Sequence, residues 1–213
     1  MPTIRAVLFD LDGVLIDSYR VWFHLLNAAA AQFGYPAISE TSFHETWGQG
    51  IEEDIKAFFP GLTIPQLSAY FSSHYGQQLQ HVEAIPGARE ALQSVKATPT
   101  NRGFRYLTGC LTNSQGGLAR RSLEQLQMLT YLDRVLGADE APASKPDPRG
   151  LQKLCRQLGV RPDQVVLIGD SAYDEQAAKG AGAHFLGYKR KSRFHLNDLQ
   201  GLRSWLEWFE AQT

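Results

Sequence analysis

Apolar side chains fill residues 4 to 9, IRAVLF, except at Arg5, as expected of a buried strand, and Gly13 then permits a tight turn. From Asp17 the period changes to a helical one. Trp22, Leu25, Leu26, Ala29 and Phe33 recur at helical spacing, with Asp17 or Ser18 as cap and Gly34 as stop. Two further helical patterns run through Ile51, Ile55, Phe58 and Phe59, and through Leu67, Tyr70, Phe71 and His74 after Pro65. No strand pattern is visible between residues 16 and 85.

After IPG at 85 to 87, helix and strand alternate. Ala88, Ala91, Leu92 and Val95 mark a helix; FRYLTGCL (104 to 111) a strand; Leu118, Leu123 and Leu126 a helix; RVLG (134 to 137) a short strand. A helix through Leu151, Leu154, Cys155 and Leu158 leads past Gly159 and Pro162 to the most apolar strand, VVLIGD (165 to 170), and then to HFLGY (184 to 188). Leu199, Leu202, Trp205, Leu206 and Phe209 give a last helix an apolar face to dock on the sheet, and TPTNRG (98 to 103) reads as a connection. Such alternation predicts an α/β fold with a doubly wound parallel sheet, whose ligands bind at the carboxyl ends of the strands. The all-helical stretch 16 to 85 is then an insertion into a core made of residues 1 to 15 and 86 to 213.

The 213 residues suit one large domain, or one plus an insertion. With 21 Lys and Arg against 22 Asp and Glu, nothing points to a nucleic-acid or membrane partner, and small-molecule chemistry is the better expectation. The early run AVLFDLDGVLI is broken by Asp10 and Asp12, so it does not read as a signal peptide, and no segment approaches membrane-spanning length; a cytoplasmic protein is expected. Cys110 and Cys155 are too few and too isolated for a disulfide framework or a zinc site and read as small core residues.

The polar residues that follow the strands carry the chemistry. Asp10 and Asp12 end the first strand two positions apart, on one side of an extended chain; Thr112, Asn113 and Ser114 end the strand at 104 to 111; SKPDP (144 to 148) follows the short strand; Asp170 ends VVLIGD, with Asp174 four residues on. Taken singly, each could be a helix cap, a turn or a solvated lysine.

Together, DLDGVLIDS, LTNS, KPDP and GDSAYD resemble the four motifs of the haloacid dehalogenase-like hydrolase superfamily, and the stretch 16 to 85 resembles its helical cap, in size and placement like that of the phosphoglycolate phosphatase-like branch. The resemblance implies a Mg²⁺-dependent phosphatase acting on a small phosphorylated metabolite. Asp10 would be the nucleophile, forming an aspartyl-phosphate, and Asp12 the acid that protonates the leaving group and then activates water. Asp10, Asp170 and the backbone carbonyl at Asp12 would hold Mg²⁺, with Asp174 as a further ligand or a support beside it. The Thr112 hydroxyl and Asn113 backbone amide would bond phosphoryl oxygens, with Lys145 neutralising their charge. WGQG (47 to 50) resembles in placement the cap loop that touches substrate, which adds Gly48 and Gln49 as substrate-binding residues, although a plain interhelical turn reads equally well.

The insert carries seven carboxylates against Arg20 and Lys56, a net charge of −5, which disfavours a substrate with a second strongly anionic end. Trp22, Phe58 and Phe71 read as packing residues, His24 as a residue near the mouth, and KRKSR (189 to 193) as a solvated loop. Other chemistries of the superfamily remain alternatives. A dehalogenase has no use for Asp12, a phosphonate hydrolase would need Lys56 as its Schiff-base lysine, and a sugar phosphomutase typically has a carboxylate where this chain has Gly169. A non-catalytic regulatory protein would have lost a member of the set.

Overall fold

The computed structural model describes residues 3–97, 99–100 and 103–212. Strand β1 (Ala6–Phe9) is wholly buried. It leads through a turn to β2 (Ile16–Asp17), then α1 (Tyr19–Phe33), α2 (Glu40–Glu45), α3 (Ile51–Phe58) and α4 (Ile64–Gln78), and back through β3 (Glu83–Ala84). The rest alternates as α5 (Ala88–Ala97), β4 (Leu107–Leu111), α6 (Gly116–Gln125), β5 (Arg134–Leu136), α7 (Arg149–Leu158), β6 (Val165–Gly169), α8 (Ala172–Ala181), β7 (His184–Tyr188), β8 (His195–Leu196) and α9 (Leu202–Ala211). The expected connection at 98 to 103 lies partly outside the described residues.

Six strands form a parallel sheet in the order β5-β4-β1-β6-β7-β8, with β1 between β4 and β6. Phe9 is level with Cys110 of β4 and Ile168 of β6, so the residues that follow these three strands emerge side by side on one edge. The period of two in β1 divides its side chains between the two layers. Val7 and Phe9 join the larger core with Val166 and Ile168, whereas Ala6 and Leu8 pack with Leu111, Leu154 and Leu167. Helix α9 docks as expected, burying Leu202, Leu206 and Phe209.

Four short elements depart from expectation. β2 and β3 pair antiparallel, Ile16 with Ala84 and Asp17 with Glu83, where the chain leaves and re-enters the core; two-residue strands are too brief to show a period. The six-residue α2 buries only Phe43 and starts at Ser39, whose side chain accepts from Ser42 N–H, so it too lacks a repeat. β8 is another two-residue strand, on the sheet edge. At α1 the N-cap residue is Ser18, but its hydroxyl makes no cap bond and is used elsewhere. Among the described residues no helix is long and apolar enough to cross a membrane. Both cysteines are buried and free.

Candidate active site

Asp10 continues the ladder of β1, its N–H donating to Ile168 carbonyl at 2.8 Å, so its position is fixed by the centre of the sheet. Its carboxylate is buried, and Oδ1 accepts from Lys145 Nζ at 2.7 Å and from Leu11 N–H at 2.7 Å. Lys145 is only 4% exposed, which excludes a solvated loop lysine, and it also donates to Asp174 Oδ1 at 2.6 Å. Burial by itself would lower the Lys145 ammonium, but Asp10 and Asp174 override it and hold it above the usual lysine range.

Asp174 sits in the first turn of α8, where the helix N-terminus favours a carboxylate. A capping box holds it: Ser171 N–H and Oγ donate to its Oδ2 at 3.1 and 2.5 Å, and Ser171 Oγ accepts from Asp174 N–H at 3.2 Å. The cap and the charged site are therefore one structure. Asp170, just past β6, accepts on Oδ2 from Trp47 Nε1 at 3.4 Å, whereas its buried Oδ1 has no partner among the described residues.

Asp10, Asp170 and Asp174 each offer an oxygen within 4.8 Å of the others. Burial, then the neighbouring carboxylates, push Asp10 well above the usual carboxylate range against the pull of Lys145. Burial and then Asp174 lift Asp170 to about 7. Three hard oxygen donors, an orphaned Oδ1 and crowded negative charge fit a divalent cation such as Mg²⁺. The packing is tight: Gly13 has φ +84° and a Cβ there would lie 2.1 Å from Asp170 Oδ2.

Asp12 lines the same cavity as Asp10, but its carboxylate has a separate set of partners. Oδ1 accepts from Ser18 Oγ at 2.5 Å and Trp22 Nε1 at 3.0 Å; Oδ2 accepts from Ser114 Oγ at 2.7 Å and Thr112 Oγ1 at 3.3 Å. Four donors, from α1, its cap and the residues just past β4, hold the Asp12 side chain. Its backbone carbonyl is the part left to the metal reading. A tight turn at Gly13 follows β1, and the two aspartates share a cavity while meeting different partners.

Thr112 is buried, and its Oγ1 also accepts from Ser114 N–H at 3.0 Å. Asn113 does something its motif did not suggest. Its Oδ1 accepts from Lys145 N–H at 2.7 Å, while its Nδ2 donates to the carbonyls of Lys145 and Gly48, both at 2.9 Å. The side chain thus ties the lysine loop to the insert's WGQG turn.

The cavity, of about 210 Å³, lies between the sheet edge and the insert. Gly48 and Gln49 line it, and Gln49 Nε2 donates to Asp54 Oδ1 at 2.7 Å. Burial lifts Asp54 to about 7 despite that bond, with Glu53 adding to the rise. His24 is exposed and outside the lining, and Lys56 is exposed, paired with Glu53 at 3.7 Å and likewise outside. Phe58 packs on the core away from the cavity, but Trp22 and Phe71 both line it. Trp22, read as packing, is also a donor to Asp12, and Trp47, Ser18 and Ser114 join the site. The available signal was chemical: a half-buried indole N–H needs an acceptor, and a carboxylate lay ten residues upstream.

A model of haloacid dehalogenase-like hydrolases matches residues 7–188, which spans every element from β1 to β7. The chain belongs to the haloacid dehalogenase-like hydrolase family. It is similar to the phosphoglycolate phosphatase of Nitrosospira multiformis, with 30% identity covering 85% of this chain and 81% of that one. The phosphoglycolate phosphatase of Vibrio cholerae is 31% identical over 88% and 85% of the two chains. Among solved structures, the β-phosphoglucomutase of Clostridium difficile superposes with a TM-score of 0.84 at 18% identity, covering 99% and 98% of the two chains. A family hydrolase of subfamily IA from Geobacter sulfurreducens gives 0.75 at 21% identity, covering 95% and 100%. At those identities the structural likeness concerns the fold, and the family hydrolase chemistry rests on the matched motifs and the site geometry.

Proposed function

We propose that this hydrolase is a Mg²⁺-dependent phosphatase that releases phosphate from a small phosphate monoester through an aspartyl-phosphate at Asp10. The observation that carries the reading is the division of labour at the β1 edge. Asp10 lies beside Lys145 and two further carboxylates, while Asp12 faces the same cavity with its own donors. The curated relatives' name supports the ester class.

A phosphate monoester resists attack because its oxygens repel a nucleophile. When bound by Asp10, Asp170, Asp174 and the carbonyl of residue 12, Mg²⁺ would supply charge neutralisation between the nucleophile and the phosphoryl oxygens. Asp10 attacks phosphorus in line, the bond from phosphorus to the leaving oxygen breaks, and Asp12 hands that oxygen a proton. Thr112 Oγ1, the Asn113 backbone N–H and Lys145 hold the phosphoryl oxygens. Asp12, now ionised, takes a proton from the water that attacks the aspartyl-phosphate, freeing phosphate and restoring Asp10. The insert, read as a cap, excludes bulk water through the Asn113 to Gly48 and Trp47 to Asp170 contacts.

The alternatives fare worse. A cap Schiff base lacks its lysine, because Lys56 is outside the cavity. A carboxylate at 169, as in the mutase branch, has no room, since a Cβ there would fall 2.3 Å from Asp174 Cβ. No member of the four-motif set is missing, which disfavours a purely regulatory role, and Asp12 with its four donors has no task in dehalogenation. The test is phosphate release from an activated aryl phosphate. Activity should vanish with chelator and in Asp10→Asn; activity that survives both sinks the reading.

A further inference from the structure

The cavity lining points to the kind of alcohol that leaves, an inference that rests on the phosphatase reading. Among the described residues five carboxylates line the cavity, Asp10, Asp12, Glu52, Asp54 and Asp139, against one base, Lys145. That base is already buried between Asp10 and Asp174 and serves the phosphoryl end. The insert's two other cations are turned elsewhere: Arg20 pairs with Glu40 at 3.6 Å and Lys56 with Glu53, both largely exposed and neither in the lining. A leaving group with a carboxylate or a second phosphate would therefore meet Glu52 and Asp54 with no counter-charge.

Asp54 is the pointed feature. It is half-buried in the cavity wall, its Oδ1 is held by Gln49, and its Oδ2 accepts no hydrogen bond among the described residues. Trp22, Trp47 and Phe71 line the same space, and aromatic walls beside a carboxylate are the surroundings that bind an organic ammonium. We propose that the substrate is the phosphate monoester of a small amino alcohol, with its ammonium seated beside Asp54 among these aromatics. Burial that lifts Asp54 towards neutrality would be relieved by such a cation. The volume of about 210 Å³, part of it taken by the phosphoryl group, keeps the alcohol small. On this account the chain parts from its phosphoglycolate-named relatives in the charge of the leaving group, while the bond broken and the proton delivered by Asp12 are unchanged.

Three two-carbon esters separate charge from size: phosphoethanolamine, ethyl phosphate and phosphoglycolate, assayed with the Mg²⁺-loaded enzyme by phosphate release. A charge-assisted contact implies kcat/KM for phosphoethanolamine about tenfold above ethyl phosphate, with phosphoglycolate lowest. In Asp54→Asn the advantage of the amine over ethyl phosphate should collapse towards unity. Phosphoglycolate as the best of the three, an amine no better than ethyl phosphate, or a ratio untouched by Asp54→Asn overturns the proposal. The wild-type ranking decides the matter if the variant fails to fold. An enzyme that turns over an aryl phosphate but none of the three also overturns it; one inert on the aryl phosphate brings down the phosphatase reading and this inference with it.

Discussion

Replacing Trp22 by phenylalanine removes one N–H and keeps most of the ring that packs against Phe71 at 5.3 Å and Tyr75 at 5.3 Å. The lost bond is the 3.0 Å contact to Asp12 Oδ1, one of four donors that orient this carboxylate. A hydrogen bond to a charged group contributes about 1.5–3 kcal/mol; with three donors left, the lower end, about 1.5 kcal/mol, is the better figure and corresponds to about tenfold in rate. The loss should fall where Asp12 is needed as an acid. With an alkyl phosphate, whose alkoxide must be protonated as it leaves, kcat/KM, which reports the steps up to leaving-group departure, should drop about tenfold; with a nitrophenyl phosphate, whose leaving group departs unprotonated, about threefold or less. Steady-state kinetics on both esters, with a urea midpoint to show that the fold is intact, provide the assay. An equal loss in kcat/KM on the two substrates would refute the idea that Trp22 works through the proton donor.

Three further outcomes follow from the geometry. Lys145→Ala leaves Asp10, Asp170 and Asp174 buried without their cation and should cost about 3–5 kcal/mol of stability in the metal-free protein, read from denaturant melts. Gly169→Ala puts a methyl group 2.3 Å from Asp174 Cβ and should displace that side chain, lowering stability by about 1–3 kcal/mol and weakening Mg²⁺ binding measured by calorimetry. Asp54 has its folded pKa raised to about 7, so between about pH 4 and 7 the folded state holds a proton that the unfolded chain has released, and stability from this group is lost as pH rises through that window. Asp54→Asn should therefore gain stability over wild type at pH 8 and gain less at pH 5; a difference independent of pH would show that the group is not strained by burial.

Much of this site is legible in the sequence because parallel strands deliver their carboxyl ends to one edge. Asp10, Thr112 and Asp170 follow strands that register side by side, and Lys145 and Asp174 come from the segments just beyond. What the sequence hides are the links between the insert and that edge. Trp22 lies at helical spacing among apolar residues and looks like core until its indole finds Asp12, 10 positions away in sequence. Asp54 belongs to a run of acids, EED, that reads as a solvated face; only the fold shows that Glu53 pairs with Lys56 while Asp54 reaches the cavity wall. The two-residue strands β2 and β3 are set by the need to leave and rejoin the core, not by a local pattern.

In the proposed reaction Asp10 carries the phosphoryl group between its two halves. Acid quenching of the Mg²⁺-loaded enzyme during turnover, followed by peptide mapping, measures it directly. The expected result is a phosphoryl group on Asp10 that disappears when substrate is exhausted. Steady turnover with an unmodified Asp10, or with the phosphoryl group on another side chain, would contradict it.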